Sequence, residues 1–221
     1  MSLKKTDLPM VNLFAEVDVS IVCEEVVEGV FAGYVFQNMT AGNFDIVPAP
    51  RDKMKGPDVV KSLTTSIVQP TDEGQIAQSE VQVVFDVNMH SYNFVTQPGA
   101  FRRVIMNLLG NALKYTSHGY VFLKLVVESM SPLNKPATGE TVERSMVTIT
   151  IKDTGRGISA EFLRSKIFTP FAQENSLSSG TGLGLSIVRS IISLLEGEIT
   201  IDSEVGKGTG KLCNIRFSSV D

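Results

Sequence analysis

The sequence predicts a mixed α+β fold: a two-layer α/β sandwich with a mostly antiparallel sheet and helices packed on one face. Three observations point there. Strand-like and helix-like stretches follow one another without the regular βαβ rhythm of a doubly wound sheet. The chain closes on two neighbouring strand-like stretches, GEITIDSE and KLCNIRFSS, that read as a hairpin-like pair. A length of 221 residues with 43% hydrophobic content suits one large domain, so residues 1–221 are read as a single unit.

The elements follow in chain order. Residues 13–22, LFAEVDVSIV, read as a strand entering a helix that Asp18 or Ser20 caps, and CEEVVEGVFAGY carries the apolar face of that helix. Residues 37–79 are rich in Gly, Pro, Asp and Thr and weakly periodic, and are expected to be an insertion with short structured patches. VQVVFDVN (81–88) alternates as a strand, 99–116 has helical periodicity, and YVFLKLVVE (120–128) is again a strand. A polar loop with two prolines is expected over 129–145. MVTITIKD (146–153) then alternates and ends on an aspartate, and a helix-like run spans Leu185 to Leu195.

Charge and cysteine content narrow the function. The net charge of −4, with no basic block, disfavours nucleic acid as a partner. Cys23 and Cys213 are far apart, form no CxxC and read as reduced, buried thiols of a cytoplasmic protein. No run approaches the length of a membrane span, so no membrane contact is expected of this stretch, which reads as a piece of a longer protein.

Gly180, Gly182 and Gly184 sit at every second position just before the run 185–195. Such density implies that the backbone comes close to something. The spacing GxGxG, late in the chain and after a polar loop, fits neither the GxGxxG dinucleotide fingerprint nor the phosphate loop GxxxxGK with Ser or Thr. Its partners decide the reading. In FRRVIMNLLGNALKYT, Ile105, Leu108, Leu109, Ala112 and Leu113 form an apolar face, while Asn107, Asn111 and Lys114 form another, with Tyr115 beside them. Asparagine is a poor helix-interior residue. The pair reads either as solvated or core-bonding amides or as a polar wall offering amide oxygen to Mg²⁺ and an ammonium to phosphate. DTGRGIS follows a strand and reads either as an Asp-capped turn or as a pocket floor whose carboxylate accepts an exocyclic amine. IFTPFAQ reads as a hydrophobic latch for a loop.

In this order the motifs resemble the ATP-binding domain of histidine kinases, within the GHKL (Bergerat-fold) group shared with gyrases, mismatch-repair ATPases and heat-shock chaperones. NLLGNALKYT looks like the N box, DTGRGIS the G1 box, FTPFAQ the F box and GTGLGLSIV the G2 box, and SEVGKGTG resembles the closing Gly-Thr turn near the adenine. The resemblance covers about residues 81–217; residues 13–36 look like the family's opening strand and helix, and 37–79 resembles longer kinases of hybrid, receiver-linked proteins.

The resemblance implies ATP and Mg²⁺ as cofactors. Asp153 would accept from the adenine amine, with Thr209 assisting, and Gly155, Gly157 and Ile158 would line the base pocket. Asn111 would be the metal ligand, Tyr115 would lie near base or ribose, and Asn107 and Lys114 would be the catalytic candidates. Residues 172–184 would be the mobile lid, anchored by Phe168 and Phe171, with Gln173 reaching toward the terminal phosphate. Gly180, Thr181, Gly182, Leu183, Gly184 and Leu185 would receive the phosphates at the start of a helix. The group's hydrolases resemble one another in ExxxN, but here Asn107 stands four residues before Asn111, and an amide takes no proton from water.

Phosphoryl transfer to a histidine on a separate dimerisation domain of the same parent protein, and onward to a receiver domain, is therefore expected. His90 and His118 lack a following acidic residue and read as surface or turn histidines. The alternatives are a degenerate scaffold, a serine kinase like the mitochondrial dehydrogenase kinases, and an ATP hydrolase.

Overall fold

The computed structural model describes residues 14–41, 58–70, 76–88, 93–134, 141–175 and 180–218. A short strand β1 (Ala15–Asp18) leads into helix α1 (Val19–Ala41). Asp18 is the cap: its Oδ1 accepts from Ser20 N at 2.9 Å and from Ser20 Oγ. Val19, Val22, Cys23, Val26 and Val27 form the buried stripe of α1. Strands β2 (Asp58–Pro70) and β3 (Ile76–Asn88) pair antiparallel, and β4 (Asn93–Thr96) pairs with β1.

Helix α2 (Pro98–Tyr115) buries Phe101, Val104, Ile105, Leu108, Leu109, Ala112 and Leu113, the i, i+3, i+4 rhythm of a helix that faces a core on one side only. Its Pro98 sits in the first turn and Lys114 in the last, where each is favoured. Strands β5 (Gly119–Asn134) and β6 (Thr141–Asp153), helices α3 (Ala160–Ser165) and α4 (Gly184–Leu194), and strands β7 (Glu198–Glu204) and β8 (Gly208–Ser218) complete the described chain.

The main sheet has the order β2-β3-β5-β6-β8-β7. Only β3 and β5 are parallel. Alternate residues of its strands (Val83 and Phe85, Leu123 and Leu125, Ile149 and Ile151, Cys213 and Ile215) point into one core with α1, α2 and α4. Phe217 stacks on Phe94, ring centroids 5.1 Å apart, and meets Phe101 edge-on, so the β1–β4 ribbon and the start of α2 are tied to the end of β8. The expected mixed sheet with helices on one face is the fold observed.

One expectation needs amendment, and two features add to the reading. Within 37–79, α1 runs on to Ala41 and β2 and the start of β3 form a hairpin on the sheet edge, with the rest outside the described residues. The loop expected over 129–145 is largely strand: β5 continues to Asn134 and β6 begins at Thr141. The ladder absorbs polar residues there because a backbone pairs regardless of side chain. The six-residue α3, capped by Ser159 Oγ, was not foreseen.

Both cysteines are buried and free. Burial pushes each thiol up to about 12. Stability from this source is complete below the ordinary thiol value near 9.0 and falls as pH climbs from there toward 12. At pH 8 the native chain is expected to resist an aqueous thiol reagent at both positions and to react at both once denatured. Rapid labelling of the native chain would place a thiol at the surface instead.

Candidate functional site

A cavity of about 360 Å³ opens between α2, the start of α4 and the ends of β6 and β8. Its floor is Asp153, the last residue of β6. The alternation of the strand (Val147, Ile149, Ile151, Asp153) puts this carboxylate on the core side, where it is buried. A buried carboxylate requires partners. Asp153 Oδ1 accepts from Gly155 N at 3.1 Å and Thr209 N at 3.2 Å, and Oδ2 accepts from Lys211 Nζ at 3.0 Å. Asp153 stands opposite Thr209 in the β6–β8 register, and Lys211 follows two residues on, on the same face.

The turn after Asp153 is held from two sides. Arg156 N donates to Tyr115 O at the end of α2, and Gly206 N donates to Arg156 O. Ser203 Oγ accepts from Ile158 N, donates to Gly208 O and bonds Thr209 Oγ1 at 2.9 Å. The position of the floor is thus fixed by α2 and by the β7–β8 turn together.

Asn107, Asn111 and Lys114 form the α2 wall, with Met106 and Gly110 beside them. Asn107 Nδ2 donates to Arg103 O at 2.8 Å, and its Oδ1 faces Gly184, where a Cβ would lie 2.9 Å away. The Tyr115 ring carries two cations: Lys114 Nζ lies 4.6 Å and the Arg156 guanidinium 4.5 Å from its centroid.

The third side is the glycine loop. Among the described residues no side chain caps the N-terminus of α4, and Gly184 and Leu185 line the cavity, so the amides of the first turn point their partial positive charge at it. Gly182 has φ +70°, and a Cβ there would lie 2.7 Å from the Phe171 carbonyl carbon. Phe171 N donates to Gly182 O at 3.0 Å, and Gln173 Nε2 donates to Gly180 O at 2.6 Å. Residues 176–179 of the expected lid lie outside the described residues, as does His90. His118 is exposed in the α2–β5 turn beside Ser117.

Of the residues singled out from sequence, all line the cavity except Gly155, Phe168, Phe171 and Leu183. Gly155 is buried behind Asp153, to which its amide is committed. Phe168 packs beneath the Arg189 guanidinium, 5.2 Å from its ring centroid. Phe171 is 73% exposed, with its backbone at φ +63°, and its contact with the glycine loop is the backbone bond to Gly182. Leu183 is the cap position of α4, its carbonyl taken by Ile187 N and Ser186 Oγ. Gln173 is a tether for the glycine loop. Sequence reasoning gave no role to Lys211 in the floor or to Met106, Gly110 and Phe162, and placed Arg156, Ile167, Ala172 and Glu174 only within the motifs or the lid. The phase of Lys211 with Cys213, Ile215 and Phe217 was the signal that could have found it.

Residues 96–218 match the family described as histidine kinase-, DNA gyrase B-, and HSP90-like ATPases. The chain belongs to this family. Among curated relatives, the autoinducer 2 sensor kinase/phosphatase LuxQ of Vibrio vulnificus is 35% identical over 58% of this chain and 14% of its own length. The hybrid signal transduction histidine kinase A of Dictyostelium discoideum is 40% identical over 52% of this chain and 5% of its own. The match therefore spans only a small part of these relatives. Full-length ShkA in complex with AMPPNP has a similar fold (TM-score 0.58, 18% identity, covering 94% of this chain and 32% of that one). So has the mycobacterial sensor histidine kinase MprB (0.56, 16% identity, 94% and 99%). The family's ATP-binding domain is what the four boxes resemble, and its mixed sheet is the one seen here.

Two substitutions test this geometry. Asp153→Asn strands the Lys211 ammonium, so it is expected to destabilise the fold by about 3–5 kcal/mol and to weaken nucleotide binding by at least ~1.5 kcal/mol. Thermal melts and titration calorimetry read the two separately, and unchanged affinity would place the base elsewhere. Gly182→Val forces a β-branched residue into a left-handed φ at a strain on the order of 1–3 kcal/mol and against the Phe171 backbone. It is expected to weaken nucleotide binding while the core melts as before; global unfolding would make that glycine a core element.

Proposed function

We propose that this chain is the ATP-binding catalytic domain of a sensor histidine kinase. In this reading it holds Mg²⁺·ATP in the cavity and presents the γ-phosphate to a histidine on a separate dimerisation domain of the same parent protein, for onward passage to a receiver domain. The observation that carries the reading is one cavity with a buried carboxylate floor at one end and an uncapped helix N-terminus facing Asn111 and Lys114 at the other. That is the polarity of a nucleotide: an amine-bearing base at one end and polyanion at the other.

The residues fit the cofactors. Asp153 accepts from an exocyclic amine. The α4 amides and Lys114 suit phosphate oxygens. Asn111 offers the one neutral oxygen that a largely hydrated Mg²⁺ needs beside phosphate. Bound there, the metal would neutralise phosphate charge.

The reaction class follows from Asn107. A general base at that position would activate water, but a neutral amide already committed to Arg103 O takes no proton. The nucleophile must come from outside: an imidazole nitrogen bonds to the γ-phosphorus as the bond to the ADP oxygen breaks, and its proton passes to solvent. Within the chain, positioning is the whole contribution.

The chain alone is expected to bind ATP and ADP at micromolar to sub-millimolar affinity by calorimetry, to release phosphate at a negligible steady rate and to take up no label from radioactive ATP. Added to a dimerisation domain carrying its histidine, it is expected to place acid-labile label there. Stoichiometric self-labelling, acid-stable label on serine, or several turnovers of hydrolysis per minute would each sink the reading, and an absence of binding would favour a scaffold.

A further inference from the structure

Lys211 is an unusual occupant of its place. On the core-facing side of β8 it stands in line with Cys213, Ile215 and Phe217, and it pairs in register with Ile151 and Ile201. Its side chain is 4% exposed. An ammonium has three donors and its charge is costly to desolvate unless they are used. Among the described residues, one is used, on Asp153 Oδ2. The nearest hydroxyl of the strand, Thr209 Oγ1, is engaged with Ser203. Lys211 also lines the cavity, so its remaining donors have that space to serve.

The carboxylate is in a complementary state. Its Oδ1 holds two backbone amides and its Oδ2 holds Lys211. A carboxylate has about four lone-pair sites, so one further donor can be accepted. The floor therefore offers an acceptor and a donor side by side, with Asp153 Oδ2 and Lys211 Nζ 3.0 Å apart. An adenine edge offers the complement on adjacent positions: an amine N–H and the ring nitrogen N1.

We propose that Lys211 reads the base, donating to the ring acceptor next to the amine that Asp153 accepts from, and so is a specificity-determining residue of this site. The inference rests on the ATP-binding reading given above. It differs from a purely structural ion pair in one measurable respect. A structural Lys211 would influence all nucleotides alike through Asp153, whereas a reading Lys211 influences only those that carry the acceptor.

The test is a set of calorimetric titrations of ATP, 1-deaza-ATP (N1 replaced by C–H) and 7-deaza-ATP against the full chain and its Lys211→Met variant. Wild type is expected to bind 1-deaza-ATP about tenfold or more weakly than ATP, the value of one charge-assisted hydrogen bond, and to bind 7-deaza-ATP as it binds ATP. In Lys211→Met the 1-deaza penalty is expected to shrink to about threefold or less. An undiminished penalty in the variant, or equal binding of ATP and 1-deaza-ATP by wild type, would overturn the proposal. If Lys211→Met loses its cooperative melt, Lys211→Gln, which keeps an amide donor for Asp153, is scored by the same ratio. Failure of wild type to bind ATP at all appears in the first titration and rejects the ATP reading itself.

Discussion

A carboxylate buried at the end of a central strand sets the terms for everything around it. Asp153 cannot stay charged inside the fold without partners, and those partners come from three places: its own turn through Gly155 N, the facing strand through Thr209 N, and the core row of β8 through Lys211. Satisfying it fixes the β6–β8 register at its last step and seats the β7–β8 turn, where Ser203 bonds both Ile158 and Thr209. Buried ion pairs contribute little net stability compared with packed apolar residues of the same volume. The pair and the two amides held by Asp153 Oδ1 make this end of the sheet a polar floor.

Helix α2 joins that floor to the rest of the molecule. Its 3.6-residue period sorts one sequence into two surfaces: the buried stripe from Phe101 to Leu113, and the wall of Asn107, Asn111 and Lys114. Because the stripe is locked against the sheet, the wall has a fixed height above the floor. At the end of the helix the Tyr115 carbonyl takes the Arg156 amide, so the turn carrying the floor hangs from the helix carrying the wall. Two asparagines in a helix interior, unfavourable by propensity, are tolerated because the apolar stripe supplies the stability.

What was legible in the sequence was what periodicity encodes. The buried stripe of α2, the alternation of β6 and the closing hairpin repeat their signal over several residues, and each forms as expected. β2 was obscured because its β-branched residues come in runs without alternation, and the ends of β5 and β6 because their polar composition resembles a loop. In the site, most motif residues fall on one cavity, because each was picked for a chemical reason that suits its type. Lys211 lies outside any motif, and a strand lysine near a turn ordinarily faces solvent; only its phase with Cys213 and Ile215 marks it as buried. Phe171 failed in the opposite sense. An aromatic beside a proline suggests burial, but Phe171 is exposed and meets the glycine loop through its main chain.

The two ends of the cavity are held very differently. The floor is tied by bonds to α2, β7 and β8; among the described residues, the glycine loop is held over the wall by Phe171 N to Gly182 O, Gln173 to Gly180, and the close seat of Gly184 on Asn107. A stiff floor suits recognition, since a base edge is read only by groups that do not move to meet it. Under the proposed function, the glycine loop forms the roof of the phosphate end, where an outside nucleophile would have to be admitted. The neutral Asn107 completes the division. With no base to activate water, opening the roof exposes the phosphate without spending it, and under the proposed function turnover waits for the imidazole that arrives from the other domain.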